Sequence, residues 1–473
     1  MNTNGRFLFG VLAAFAFVAA SASAGGAGFF KNSAAPRLTP MPPPTAADLR
    51  IKAAADREHQ REMSLLHLTK LRPGRDARNP DAPNAANYDE AKAYSHPYAS
   101  NVLRPANGKE IATAQEWWQV RRPEIAAAFE REVYGRVPTN VPKVAWRVVG
   151  EHREKIGGTD AVVRDLIGEV DNSADPAIRV NILATETLPV QRAGKVPVVI
   201  NLIYNHSYDQ RHRLKGPEPP GPDWQAQILA RGWGYVAYDP LSVQADDGAG
   251  LNRGIIGLTN KGRPRSLGDW GVLRAWAWGA GRIVDYLQSD PRVAADEIGI
   301  AGHSRFGKTA LVAMAFDPRF ALAYISSAGA GGTKLMHRNY GESVENLAGE
   351  EFYWFAGNLI KYGADPLTAD DLPFDADAMI ALCAPRPVFV GSGLPASGDA
   401  WVDPQGMFDA AVKAGAVYRL LGRKGLPTET MPAVETALLS GDVAFRQHRY
   451  GHFQKPNWPA FLDFAAKYWR QKP

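Results

Sequence analysis

From residue 143 onward, apolar residues gather into short runs separated by longer amphipathic stretches, whereas before it they are scattered among charges and prolines. The stretches VAWRVVG, AVVRDLIGEV and IRVNILATE alternate apolar and polar positions, as half-buried strands do, and the short connections between them predict antiparallel neighbours. VPVVINLIYN, GYVAYDP, EIGIAGH, LAYISSAG, RPVFVGSG and AVYRLLG follow as continuously apolar runs, the pattern of strands buried on both faces. Most are separated by enough chain for a crossover helix, such as VLRAWAWGAGRIVDYLQ (272–288) and FDAAVKAG (408–415). Strands alternating with helices predict a mainly parallel sheet covered on both faces, a three-layer α/β architecture. A last helix is predicted in WPAFLDFAAKYW. Upstream, residues 46–70 read as helical; Thr113 and Glu116 have the spacing of a capping box, and a helix is expected to start again after Pro123.

Composition narrows the class. With 473 residues, 45% hydrophobic and 10% aromatic, the chain can bury a sizeable core. Its net charge of +5 comes without a basic run, which argues against a nucleic-acid partner. At the N-terminus Arg6 precedes FLFGVLAAFAFVAA and then SASA, the three parts of a secretory signal, with Ala22-Ser23-Ala24 as the expected cleavage site. No later run is apolar enough to span a bilayer, so the mature protein is expected to be soluble, without a membrane partner, and secreted or periplasmic. The organisation expected is a signal over 1–24, a Pro/Ala/Gly-rich linker over 25–47, an N-terminal helical extension over 48–142 packing on the core, and a catalytic domain over 143–473. Cys383 is the only cysteine, which excludes a disulfide within the chain; its apolar surroundings read as those of a buried, inert thiol. No Cys/His clustering calls for zinc, and no metal or cofactor is expected.

GHSRFGKTA, residues 302–310, carries the chemistry. It places Ser304 where a central strand gives way to a helix, so that the hydroxyl stands above the sheet and the helix N-terminus offers N–H groups to a developing oxyanion. The common nucleophile pattern is G-x-S-x-G; here Phe306 takes the second glycine's place and Gly307 follows one residue late. His452, in RYGHFQKPNW before the last helix, is the expected base. His448 is a rival that reads as solvated, and His303 is expected on the opposite face of its strand from Ser304. Beyond the strand VFVGSG stand Asp399 and Asp403; Asp399 is the favoured acid, since Asp403-Pro404 suits a helix cap.

GHSRFGK resembles the G-x-S-R-x-G-K signature of glucuronoyl esterases, carbohydrate esterase family 15, in which the late glycine is normal. SLGDWGVLRAWAWGAGR, HRNYGESVENL, APRPVFVGSG, DAWVDPQG and YGH extend the resemblance over most of the chain. It implies an α/β-hydrolase fold and cleavage of esters on the carboxyl of 4-O-methyl-glucuronate in xylan, where lignin alcohols are attached. It further implies Ser304 as nucleophile, His452 as base, Arg305 at the oxyanion, Lys308 and Glu342 on sugar hydroxyls and Trp401 beside the sugar. Many members carry the acid in Gln-Glu-Ser-Gly after the strand that follows the serine helix; this chain has Ser326-Ser327-Ala328-Gly329 there. Other bacterial members place it before the tryptophan, as Asp399-Ala400-Trp401 does. The expected partner is a glucuronoxylan or lignin–carbohydrate ester, acted on by a monomer. The competing readings are an acetyl-xylan esterase with the same triad and a carbohydrate-binding relative without catalysis.

Overall fold

Bulky apolar side chains alternate between two faces along every central strand of the computed structural model, which describes residues 45–94, 101–105, 108–192, 194–204 and 218–469. The expected signal over 1–24 lies outside the described residues, as does all of the expected linker except 45–47.

Among the described residues ten strands form one sheet in the order β1-β2-β3-β5-β4-β6-β7-β8-β10-β9. The strands are β1 (Val144–Ile156), β2 (Thr159–Val170), β3 (Asn181–Pro189), β4 (Val196–Leu202), β5 (Gly234–Asp239), β6 (Val293–His303), β7 (Leu322–Ser326), β8 (Val388–Ser392), β9 (Ala437–Leu438) and β10 (Val443–Gln447). β1, β2 and β3 are joined antiparallel, as the short connections predict, and β3 also pairs antiparallel with β5, which no short connection foretold. From β5 through β4, β6, β7 and β8 to β10 every pairing is parallel.

On one face Val198, Ile200, Ile300, Ile325, Val390 and Phe445 pack under the helices Val272–Ser289, Arg305–Phe316 and Pro404–Leu420. On the other, Val199, Tyr235, Tyr324 and Phe389 meet Trp458 and Phe461 of the helix Trp458–Ala465 and Ile228 of Trp224–Leu229. The period-2 alternation thus builds the three-layer sandwich. No helix among the described residues is long and apolar enough to cross a membrane.

Two sequence expectations need correction. AVYRLLG is not a strand: the helix that begins at Pro404 runs to Leu420, burying Met407, Ala410, Ala411, Ala414, Val417 and Tyr418 at helical spacing. Gly415 is the only breaker in this run, and a helix tolerates one. The strand beside β8 is instead VAFRQ, β10. Nor does the helix restart after Pro123. A helical course runs from Ala114 to Tyr134, and its Trp117–Arg121 part widens to a π turn in which the Arg122 amide reaches back to the Trp117 carbonyl. The wider turn makes room for a ring that lacks an N–H. The capping box at Thr113 and Glu116 forms as its spacing predicts.

Candidate active site

Ser304 sits at φ 58°, ψ −128° between β6 and the helix Arg305–Phe316. A non-glycine residue holds such a backbone only when its surroundings over-determine it. Here the Ser304 amide donates to the Ser326 carbonyl at 2.9 Å, and the Lys308 amide donates to the Ser304 carbonyl at 3.0 Å. A Cβ on Gly302 would lie 2.1 Å from the Phe306 carbonyl oxygen, and one on Gly307 would lie 2.7 Å from the Ser326 carbonyl oxygen. The late glycine is therefore where the helix crosses the end of β7. Phe306 points into the core, with its ring 4.5 Å from Tyr204 and 5.3 Å from Trp276.

His452 Nδ1 lies 2.6 Å from Asp399 Oδ1, with both side chains buried. The other oxygen, Oδ2, accepts from the Gly393 amide at 2.5 Å and from the Ser327 hydroxyl at 2.8 Å. Burial alone would raise the Asp399 pKa. The His452 ring, the Gly393 amide and the Ser327 hydroxyl outweigh it and bring the carboxyl to about 2. Ser327 thus stands where a carboxylate is common and donates to the carboxylate that arrives from elsewhere. The GLPASG stretch folds into the turn Pro395–Ser397 and the left-handed Gly398 (φ 113°), which brings Asp399 back over the end of β8. Asp403 has another occupation: it caps the helix Pro404–Leu420 through the Gly406 amide at 3.0 Å and binds Arg338 Nε at 2.8 Å.

Two expectations about histidines are overturned. His303 does not leave the site: the chain turns at Ser304, strand alternation ends there, and the His303 ring centre lies 4.2 Å from that of His452. Burial and the neighbouring His452 hold its pKa well below the usual value, and its Nδ1 is 3.0 Å from Ser326 Oγ. His448 is not solvated but fully buried. Its Nδ1 accepts from the Tyr450 amide at 3.2 Å, and its Nε2 lies 2.9 Å from the Phe453 carbonyl. The ring braces the loop that carries His452.

The remaining expected residues converge on one rim. Lys308 Nζ is 3.1 Å from Glu342 Oε2, and both side chains are 4% exposed, so neither is the surface charge its sequence context suggests. Glu342 Oε2 also accepts from the Ala330 amide at 2.9 Å, and the Glu342 amide donates to the Trp401 carbonyl at 2.9 Å. Arg305 pairs with Asp246, whose other oxygen accepts from Trp354 Nε1 at 2.7 Å. The Trp354 ring centre lies 4.9 Å from the Arg305 guanidinium and 5.5 Å from the Lys308 ammonium. Asp246, Trp354 and Lys334, whose buried ammonium donates to the Glu342 carbonyl at 2.6 Å, escaped the sequence reading. The one usable signal was the aromatic run FYWF behind the acidic pair Glu350-Glu351. Cys383 is buried, and burial pushes its thiol up to about 12, as expected of an inert core residue.

The arrangement offers a half-buried serine on a strained turn, an imidazole oriented by a carboxylate, and, next along the chain, an arginine whose guanidinium is held by Asp246 and the Trp354 ring. That is the equipment of acyl transfer. Residues 265–422 match the family model described as glucuronyl esterase, fungi. A family 15 glucuronoyl esterase from Teredinibacter turnerae is 42% identical, with the match covering 88% of this chain and 99% of that one at a TM-score of 0.81. A carbohydrate esterase from an unknown prokaryotic organism is 29% identical over 412 residues, covering 81% of this chain and 92% of that protein. The 4-O-methyl-glucuronoyl methylesterase of Hypocrea jecorina is 33% identical over 163 residues, 32% of this chain and 34% of that protein. With near-complete coverage of a solved relative and a strand-to-helix serine at the expected place, the chain belongs to the glucuronoyl esterases of carbohydrate esterase family 15, carboxylic ester hydrolases of the α/β-hydrolase fold.

Proposed function

We propose that this enzyme hydrolyses the ester joining the carboxyl of (4-O-methyl-)glucuronic acid in glucuronoxylan to lignin alcohols, with Ser304, His452 and Asp399 as its triad. The observation that carries the reading is the 2.6 Å contact between His452 Nδ1 and Asp399 Oδ1, on a loop facing the serine-bearing end of β6. His452 takes the Ser304 proton as the hydroxyl oxygen attacks the ester carbonyl, and ionised Asp399 stabilises the imidazolium so formed. Negative charge develops on the carbonyl oxygen, where amides at the helix start and the guanidinium of Arg305 stabilise it. Collapse expels the alcohol, which takes its proton from His452, and leaves the glucuronoyl group on Ser304. Water, deprotonated by His452, repeats the attack and releases the acid. Lys308, Glu342 and Trp401 hold the sugar, on the acid side of the bond; the alcohol meets fewer fixed groups, so variety there is tolerated.

Hydrolysis of benzyl glucuronate, run beside para-nitrophenyl acetate, tests this. Strong turnover of the first and little of the second is expected, and Ser304→Ala should lower kcat by on the order of 10⁴-fold or more. Turnover of acetate alone would replace the glucuronate reading by an acetyl-esterase one. A cell-wall substrate also fits export through the signal expected over residues 1–24. N-terminal sequencing of the exported protein should then begin at Gly25.

A further inference from the structure

His303 takes no part in the mechanism above, yet its ring packs against that of the base. It is the last residue of β6, and the strained turn at Ser304 begins immediately after it. The two imidazole centres are 4.2 Å apart with their planes inclined at 50°, close enough for van der Waals contact. His303 is itself held, for its Nδ1 lies 3.0 Å from the Oγ of Ser326, a residue with no exposed surface. Ser326 therefore reaches the site twice, because its carbonyl also accepts from the Ser304 amide at 2.9 Å. The next hydroxyl along, that of Ser327, donates to Asp399 at 2.8 Å. The end of β7 thus anchors the nucleophile, the acid and, through His303, the ring of the base.

We propose that His303 is a positioning residue for catalysis: its ring, anchored by Ser326, sets the tilt at which His452 faces Ser304. The proposal rests on the triad reading and adds a support to it. The contact between Asp399 and Nδ1 holds one edge of the His452 imidazole and leaves the ring free to tilt about that edge. A second ring packed against it removes this freedom and keeps Nε2 where the serine proton must be collected. Misplacing a reacting group by about 1 Å can cost on the order of 100-fold in rate. The support must also carry no charge, since His452 becomes a cation each time it takes a proton. The titratable groups acting on His303 are His452, Asp399 and His448. Burial first, and His452 next, hold its pKa well below the usual value, so it is neutral near neutral pH. The role asks for a flat uncharged ring, which phenylalanine supplies and asparagine does not, although asparagine keeps a polar atom for Ser326.

Steady-state kinetics of the full chain near neutral pH, on benzyl glucuronate and on para-nitrophenyl acetate, test this. Inactivation by diethyl para-nitrophenyl phosphate, run beside them, reads activation of the serine without any sugar. For His303→Asn, kcat on both esters should fall about 30-fold, with KM for the glucuronate ester within about twofold of the parent value. Inactivation by the phosphate should slow by a similar factor, and His303→Phe should recover most of each loss. An unchanged kcat in His303→Asn, or an equal loss in His303→Phe, would overturn the assignment. So would a raised KM with unaltered inactivation, which would place His303 on the sugar instead. Should the asparagine variant fail to fold, Ser326→Ala decides through the anchor. A fall of about threefold or more in kcat and in inactivation rate is expected of it, and parent rates would overturn the proposal. His452→Ala separates this inference from its parent reading. If that variant is inactivated as fast as the unsubstituted enzyme, the triad and its support fall together. Inactivation that depends on His452 but not on His303 sinks the support alone.

Discussion

Four residues separate Asp399 from Asp403, and the two carboxyls meet different company. Asp399 faces His452, the Gly393 amide and the Ser327 hydroxyl; Asp403 faces Arg338 and the start of its own helix. The donors around Asp399 stabilise its ionised form, the form that can orient an imidazole and support its positive charge. Replacement by asparagine keeps the shape and removes the charge, and should lower kcat by on the order of 10⁴-fold. Ser327→Ala removes one of three hydrogen bonds and leaves the charge, so a loss of about three- to tenfold is expected. Measured kcat for the two variants on one glucuronate ester checks this; similar small losses would show that the acid lies elsewhere. Asp399 titrates at about 2, so Ser327→Ala should leave the pH–rate profile above pH 4 where it is in the parent enzyme.

At the scale of elements, the site depends on two connections that secondary-structure patterns do not describe. One is the strained strand-to-helix turn; the other is the loop after β10, which carries His452 and is braced by the buried His448 ring. This loop is also tied to the Asp399 loop by the Leu394 amide donating to the Tyr450 carbonyl at 2.7 Å and the Ser397 hydroxyl donating to the Arg449 carbonyl at 2.9 Å. His303 and His448 are both held neutral, chiefly by burial, with pKa values below the ordinary 6.5. Each therefore binds a proton more readily in the unfolded chain. Their contribution to stability is complete above pH 6.5 and is lost as the pH falls toward the lowered folded values. Denaturant titrations should show stability falling below that pH with a slope of up to about 2.7 kcal/mol per pH unit for two such groups. His448→Asn should remove about half of that slope, and an unchanged slope would show that His448 does not titrate in this range.

On the scale of the whole molecule, the N-terminal arm is more than a cover. The helix Ala46–Leu65 buries Glu62 against Arg265, whose Nε donates to Oε1 at 2.7 Å, with both side chains fully buried. The same guanidinium donates to the Phe355 carbonyl at 2.6 Å, one residue beyond Trp354. His59 stacks on Phe352 at 4.5 Å, while Arg72 binds Glu345 and the Tyr362 carbonyl. Farther on, the Gly341 amide donates to the Asn87 carbonyl at 3.0 Å, next to Glu342. The arm thus grips the segment 341–362 from behind, the segment that presents Glu342 and Trp354. Arg265→Ala would leave the buried Glu62 with only the partly exposed Arg61, 3.8 Å away, and a loss of about 3 kcal/mol in unfolding free energy is expected by denaturant titration. A change below about 1 kcal/mol would mean that the arm detaches without cost to the fold.

What the sequence determined by itself was local in its physics. Continuous apolar runs specified the parallel strands, because a strand buried on both faces has no exposed side on which to carry polar residues. The Gly302–Ser304–Gly307 spacing specified the serine turn, because only glycine admits the close approach of the Phe306 and Ser326 carbonyls. AVYRLLG was misread because a short apolar run has no period of its own. The tertiary structure decided what depends on desolvation and on neighbours far along the chain: that Asp399 and not Asp403 meets His452, and that Lys308 and Glu342 are a buried pair. It also decided that His303 and His448 are enclosed and that the arm supports the sugar side of the site. A side chain's charge, orientation and hydrogen-bonding duty are set by what folding packs against it, and the deciding partners of Asp399, Lys308 and His303 (His452, Glu342 and again His452) lie dozens of positions or more away.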